Sequence, residues 1–306
     1  MAVLLVAAIL SAPVSPAPPG GARYEGVASC AGSTCHGRAE GNGQVVRQDE
    51  LRRWQEPSSP SGAHSRALAV LSGRRAQQIA ATLGLGAAAS APACLGCHAT
   101  NAPLDQRGER YQPGDGVGCE SSNGPSTGWT ASHYTVLGTH AANVAGGLMP
   151  LENPAVRAGV CLDCHYGSAK PGQFVNHRMM AAGHPRIAFE LDLFSSLQQH
   201  HDEDADYAAR KGRTDPVRLW AVGQAEAVQR SLSLFAKPGF GSEGIFPEFT
   251  FYDFHSCHRQ IFDQAERSLT FATNPGRPIP FGMPPYNDEH IIMLSAVAKV
   301  LAPGQA

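Results

Sequence analysis

The sequence predicts a mainly α, loop-rich fold with little regular strand. Capping pairs such as Asn153-Pro154 and Asp215-Pro216 precede stretches whose apolar residues recur at helical spacing. The 306 residues include 33 Gly and 23 Pro, which interrupt long regular elements, and strand signals are few. Aromatic residues make up only 7% of the chain, so side chains alone supply little bulky volume for the core.

Three short motifs each combine two cysteines with a histidine that directly follows the second. They are Cys30, Cys35 and His36; Cys94, Cys97 and His98; and Cys161, Cys164 and His165. The last two have the CxxCH spacing of a haem attachment site, in which both thiols bond the haem vinyl groups and the histidine ligates the iron. In the first motif four residues separate the thiols, and we expect Gly32 to let the backbone bulge there. The sequence therefore predicts three covalent haem c groups, whose rings would also fill the core.

Zinc is the alternative for paired CxxC motifs. Four thiolates could hold one zinc ion, and this chain could supply them from Cys94, Cys97, Cys161 and Cys164. Zinc does not require a histidine after the second cysteine. Because histidine occupies only 13 of 306 positions and follows the second cysteine in all three motifs, haem is favoured.

Capping and breaking residues predict the order of the elements. The expected helical segments are 51–54, 65–71, 74–85, a turn from Pro92, a helix from Pro154 through the third motif, 173–182, 217–236 and 288–301. Residues 99–150 are rich in Gly, Pro, Ser and Asn without periodicity, and we expect a loop there.

The segment 217–236 is the longest predicted helix. Gly223 inside it counts against the prediction. The residues expected to form its buried face are Val217, Trp220, Ala227, Val228, Leu234 and Phe235.

A further cysteine, Cys119, stands in an altered motif at residues 116–125. Ser122 occupies the position of the second cysteine and Asn123 that of the histidine. Serine cannot form a thioether and an amide is a poor iron ligand, so we expect no haem at Cys119. Its thiol is expected to be buried and free, or to form half of a disulfide with Cys257.

Residues 254–258 have lost only the first cysteine of a motif, which is replaced by Phe254. Cys257 and His258 retain one covalent anchor and the axial imidazole, so a fourth haem on a single thioether is predicted here. The alternative is the Cys119–Cys257 disulfide, which would leave three haems.

The chain resembles the multihaem cytochrome c-554 family, also described as the cytochrome c-552/4 domain group. The resemblance rests on the cysteine motifs and on Leu51, Trp54, His64 and Ala67. It also rests on the Gly-Val-Gly-Cys-Glu run at 116–120 with Gly124-Pro125 behind it, and on residues 177–185.

The resemblance implies closely packed haems, several of which take a second histidine from elsewhere in the chain. The candidate distal ligands are His64, His133, His177 and His184. His177 and His184 lie seven residues apart, so they would serve two neighbouring haems.

The start of the chain predicts export. An apolar run at 3–10 precedes a stretch of small residues and proline, so residues 1–22 resemble a signal peptide with cleavage between Ala17 and Ala22. No other stretch is long and apolar enough to span a membrane. Residues 23–306 would then form a single multihaem domain in the periplasm or another exported location.

The predicted function is electron relay through mostly bis-histidine haems. Expected partners are redox proteins, either other cytochromes or a membrane quinone-linked complex. A net charge of −2 and a pI near 6.7, without a basic stripe, argue against nucleic acid. One alternative is an oxidoreductase that acts on a small nitrogen or sulfur compound at an open haem. Another is a degenerate structural or docking subunit.

Overall fold

The computed structural model describes residues 20–41, 47–199, 203–243, 246–254 and 284–304. Within these ranges the α-helices are α1 (Glu50–Gln55), α2 (Arg74–Leu83), α3 (Pro92–His98), α4 (Glu120–Asn123), α5 (Thr130–His133), α6 (His140–Ala145), α7 (Pro154–His165), α8 (His177–Ala181), α9 (Leu191–Leu197), α10 (Ala205–Lys211), α11 (Pro216–Phe235) and α12 (Glu289–Leu301). Short 3-10 turns connect many of them. Strands β1 (Ser242–Glu243) and β2 (Phe246–Pro247) pair antiparallel. The predicted mainly α, loop-rich fold is confirmed.

Several expected boundaries are wrong. Residues 99–150 contain α4, α5 and α6, each of six residues or fewer, which are too short to show a period in the sequence. The helix expected at 173–182 begins only at His177, where Asn176 caps it by accepting from the Met179 N–H. The segment 65–71 forms turns and the start of a 3-10 turn at Ala69–Ser72.

One hydrophobic core lies where α7, α9 and α11 meet. Its buried members are Ala158, Leu162, Phe189, Leu191, Leu219 and Ala227. Gly223 makes this packing possible, because a Cβ atom there would lie 2.5 Å from Leu191 Cβ. The glycine that counted against the helix thus lets α9 approach it.

The buried face of α11 differs from the expected one. It follows Leu219, Gly223, Ala227, Ser231 and Leu234, at spacings of three and four residues. Val217 is 62% exposed and Phe235 is 37% exposed, so the prediction for these two residues is wrong. The close contact between Gly223 and Leu191 determines which face of α11 is buried in the core.

A second core supports α3. Leu71, Ala80 and Ala88 are buried there, and Cys94 and Leu95 pack against them. The second cysteine motif therefore stands on a platform formed by α2 and its flanking turns. Among the described residues, no helix combines the length and the apolar character that crossing a membrane requires.

Candidate haem sites

The first motif is a tight turn. The Cys35 N–H donates to the Gly32 carbonyl at 2.8 Å, and the His36 N–H donates to the Cys30 carbonyl at 3.2 Å. A Cβ atom on Gly32 would meet Cys35 Sγ at an ordinary 3.5 Å, so the expectation that the bulge depends on Gly32 is wrong. Gly37 is the residue that the turn requires, because its Cβ would lie 1.9 Å from the Ala31 carbonyl oxygen.

The third motif is braced from two sides. Asp163, between the two cysteines, accepts from Lys170 Nζ at 2.6 Å and from Arg230 Nη1 at 2.8 Å. Arg230 also donates to the carbonyls of Gly159 and Gly167, which lie on either side of the motif. Because Arg230 belongs to α11, the longest helix holds the end of α7 in place.

The second and third motifs interlock. The neighbouring Cys164 raises the pKa of Cys97, and Cys97 lowers that of Cys164. Cys97 Sγ lies 3.8 Å from the Gly172 carbonyl oxygen. Cys164 Sγ also lies 3.9 Å from the Gly96 carbonyl oxygen. Helix α3 approaches the turn after α7 so closely that a Cβ on Gly96 would lie 2.3 Å from the Gly172 carbonyl oxygen. The second cysteines of the two motifs therefore lie in adjacent segments.

Each motif histidine faces one of the candidate distal histidines. The ring centroids are 6.1 Å apart for His36 and His133, 6.3 Å for His165 and His64, and 6.5 Å for His98 and His184. A metal–imidazole bond is about 2 Å long and the nitrogen lies about 1 Å from the ring centre, so two imidazoles on opposite sides of one metal have centroids about 6 Å apart. The three separations fit one iron between the rings of each pair.

Hydrogen bonds at Nδ1 orient several of these rings. His36 Nδ1 contacts Glu50 Oε2 at 3.0 Å, and the Nδ1 atoms of His98 and His184 each lie 2.8 Å from a carbonyl oxygen, of Ala67 and Pro185 respectively. A proton on Nδ1 leaves Nε2 as the lone-pair atom, which is the form that binds a metal. Ala67, which carries part of the family resemblance, thus orients the ring of His98 through its backbone.

Burial favours the neutral form of four of these histidine rings. It lowers the pKa of His165 to about 4, and the neighbouring His64 adds to the shift. Burial also lowers the pKa of His64, His133 and His184. Neutral imidazole is the ligand form, so the electrostatics agree with the geometry.

These residues fit haem better than zinc. Although Cys97 and Cys164 lie in adjacent segments, no three or more Cys, His, Asp or Glu side chains among the described residues converge on a point that could hold a metal ion. A haem iron needs only two opposed protein ligands, because the porphyrin supplies the other four donors. Each of the three histidine pairs provides such a set.

The fourth distal candidate, His177, stands apart from these pairs. Its backbone N–H donates to Glu248 Oε1 at 2.8 Å, and its ring centroid lies 5.4 Å from that of Phe249. Glu248 and Phe249 therefore pack directly against His177. Cys257 and His258, the predicted fourth site, lie outside the described residues.

The altered motif has acquired a structural role that the sequence did not reveal. Cys119 is half-buried, and burial raises the pKa of its thiol to about 12. The adjacent Glu120 is 5% exposed and accepts from the N–H groups of Glu25, Gly26 and Ser126. The pairing of Cys119 with Cys257 stays a prediction.

The cysteine motifs and the opposed histidines fit a c-type cytochrome, and comparison with known families supports this class. Residues 29–124, about a third of the 306-residue chain, match the family model described as cytochrome c554 and c-prime. The predicted resemblance to the cytochrome c-554 family is thereby confirmed for this segment, which holds the first two motifs and Cys119. No curated protein and no solved structure matches the chain significantly.

Proposed function

We propose that this protein is an exported multihaem cytochrome that relays electrons between redox partner proteins through bis-histidine haems. Haem c supplies a one-electron couple at each iron when bound. The chain's own residues anchor each ring by cysteine, orient two imidazoles per iron and bury the ligands from water.

The observation that carries this proposal is the pairing of all three motif histidines with a second imidazole. Two strong-field nitrogen ligands leave no open position on the iron, so a small molecule cannot bind there. Each complete motif is opposed in this way, which favours the carrier over an oxidoreductase with an open haem.

The closeness of the second and third motifs supports a relay between haems. Gln173 Nε2 donates to the Gly96 carbonyl at 3.0 Å and lies 3.8 Å from Cys164 Sγ, so the same side chain contacts both motifs. Both second cysteines would become thioethers, so the two haems would be anchored on neighbouring segments, and a short separation favours electron transfer.

A fourth haem is proposed on Cys257, with His258 as its proximal ligand. The three other distal candidates each face a motif histidine, and the family resemblance nominates His177 as the fourth. Glu248 and Phe249 bring the chain against His177 shortly before Phe254. This arrangement supports His177 as the distal ligand of the fourth iron.

Export and partners belong to the same proposal. The signal-like segment supports secretion before haem attachment, and residues 1–19 lie outside the described part of the chain. Other cytochromes or a membrane quinone-linked complex are the proposed electron donors and acceptors.

The test is the ferric absorption spectrum of the mature protein, before and after addition of nitrite, nitric oxide or hydroxylamine. If the protein is an electron carrier, the spectrum should be that of wholly low-spin haem, and none of these compounds should shift its bands. A high-spin component that shifts with one of them would instead support the oxidoreductase.

A further inference from the structure

Trp129 carries a buried hydrogen-bond donor without a partner. The residue is 6% exposed, and its Nε1 atom has no hydrogen-bond partner among the described residues. Indole nitrogen is a donor only, and buried tryptophans usually find an acceptor. Leaving such a group unpaired costs about 1–3 kcal/mol, so an acceptor is expected near this position.

The neighbouring side chains do not supply that acceptor. Ser132 Oγ donates to the Trp129 carbonyl and contacts Asn143 Oδ1 at 2.6 Å. Thr130 Oγ1 donates to the Ser126 carbonyl at 2.5 Å. These polar groups are engaged with each other and with the backbone, so the described part of the chain leaves Nε1 free to donate to a bound group.

Trp129 lies beside the first haem site. Its ring meets that of His133 at 86°, with the centroids 5.3 Å apart, and His133 faces His36. A haem held between these two histidines would bring its own acceptors, which are the two propionate carboxylates on the ring edge opposite the vinyl groups.

We propose that Trp129 Nε1–H donates to a propionate of the first haem and so acts as a positioning residue for that ring. The donor would be shielded from water by the same burial that leaves it unpaired in the protein alone. A hydrogen bond to a carboxylate is stronger than one between neutral groups and spreads its negative charge. Because less negative charge would then stabilise the ferric iron, the bond raises the reduction potential of this haem.

Trp54 provides the matched control. It is equally buried, at 6% exposed, but its Nε1 donates to the Val117 carbonyl at 3.0 Å. Its donor is satisfied by the protein. Trp54→Phe should therefore affect packing and stability without removing a contact to haem.

The experiment compares wild type, Trp129→Phe and Trp54→Phe as mature haem proteins. Resonance Raman spectra of the propionate bending modes and a spectroelectrochemical titration are the measurements. We expect Trp129→Phe to shift the propionate mode of one haem and to lower one potential, while Trp54→Phe leaves both unchanged. The affected haem should be the one that turns high-spin when His133 is replaced by Gly.

A second variant separates the donor from packing. Benzothienylalanine at position 129 keeps the shape of the indole but replaces N–H by sulfur, and it should reproduce the shift. Unchanged modes and potential in this variant would overturn the proposal. This proposal rests on the proposed haem at Cys30 and Cys35. The intact mass of the wild type shows whether that haem is present. If it is absent, the proposed relay is wrong; if it is present but unaffected by the Trp129 variants, only the proposed hydrogen bond is wrong.

Discussion

At the scale of the residue, Glu120 stabilises the loops around the altered motif. Its buried carboxylate accepts three backbone N–H groups from two separate segments, around Glu25 and Ser126. Hydrogen bonds to a charged group contribute about 1.5–3 kcal/mol each. This carboxylate therefore has a structural task that does not require haem at Cys119.

Glu120→Gln should lower the stability of the protein by roughly 2 kcal/mol, because the amide presents a donor to N–H groups that need an acceptor. Thermal unfolding of the mature protein measures the effect. Glu109→Gln is the control, since Glu109 is exposed, and it should leave the unfolding temperature unchanged. Equal unfolding temperatures for the two variants would contradict the structural role of Glu120.

Replacing His64 or His184 by Gly should turn one haem high-spin and raise its reduction potential, because an imidazole donor is lost from the iron. Ferric absorption spectra and redox titration report the change. His140→Gly serves as the control, since its side chain is 54% exposed and contacts Glu152. Spectra of the His64 and His184 variants that match the control would rule out both distal assignments.

The sequence identifies the candidate proximal ligands better than the candidate distal ligands. A motif histidine directly follows its cysteine, so a local pattern marks His36, His98 and His165. A distal histidine lies far away in the chain, and only the fold decides which iron it faces. The sequence could nominate His64, His133, His177 and His184, but the pairs follow from how the fold brings distant segments together.

At the scale of the element, close backbone approach determines how the helices pack. The missing side chain of Gly223 on α11 lets Leu191 pack closely, and that of Gly96 on α3 lets the Gly172 carbonyl approach. Periodicity and capping predicted α7, α11 and α12 well, because long amphipathic helices carry their signal locally. The short helices α4, α5 and α6 were missed, since tertiary contacts rather than local propensity stabilise elements of this length.

Gly223→Ala should destabilise the protein by about 1–3 kcal/mol, because the new methyl group collides with Leu191 and outweighs the better helix propensity of alanine. Gly159→Ala in α7 is the matched control. No atom lies within 4 Å of a Cβ at that position, so alanine should stabilise by roughly 0.5–1 kcal/mol. The free energy of unfolding measured with denaturant should therefore fall for Gly223→Ala and rise for Gly159→Ala. A stabilised Gly223→Ala protein would contradict the close packing of Gly223 against Leu191.

At the scale of the whole molecule, the cysteine motifs lie against the hydrophobic cores. Cys161 packs against the core that contains Leu162 and Phe189, and Cys94 packs against the core that contains Leu71 and Ala80. The three opposed histidine pairs support the proposed chain of iron centres, an arrangement suited to moving electrons through the protein.

Cys257→Ala should remove one haem from the intact mass and leave three. A haem tethered by one thioether keeps an unreacted vinyl group, so the wild-type pyridine haemochrome spectrum should show a red-shifted shoulder that this variant lacks. Cys119→Ala is the control and should change neither the mass of bound haem nor the shoulder. Three haems in the wild type, together with a Cys119–Cys257 disulfide in the peptide map, would show that the fourth site is lost.

The central claim is that each complete motif holds an iron between two imidazoles. The near-infrared magnetic circular dichroism of the ferric Cys257→Ala protein tests it most directly, because the charge-transfer band distinguishes bis-histidine from histidine–methionine and from high-spin iron. The pairs His36–His133, His98–His184 and His165–His64 predict bis-histidine bands alone, with the intensity of three haems. A high-spin or histidine–methionine signal equal to one haem would contradict the account.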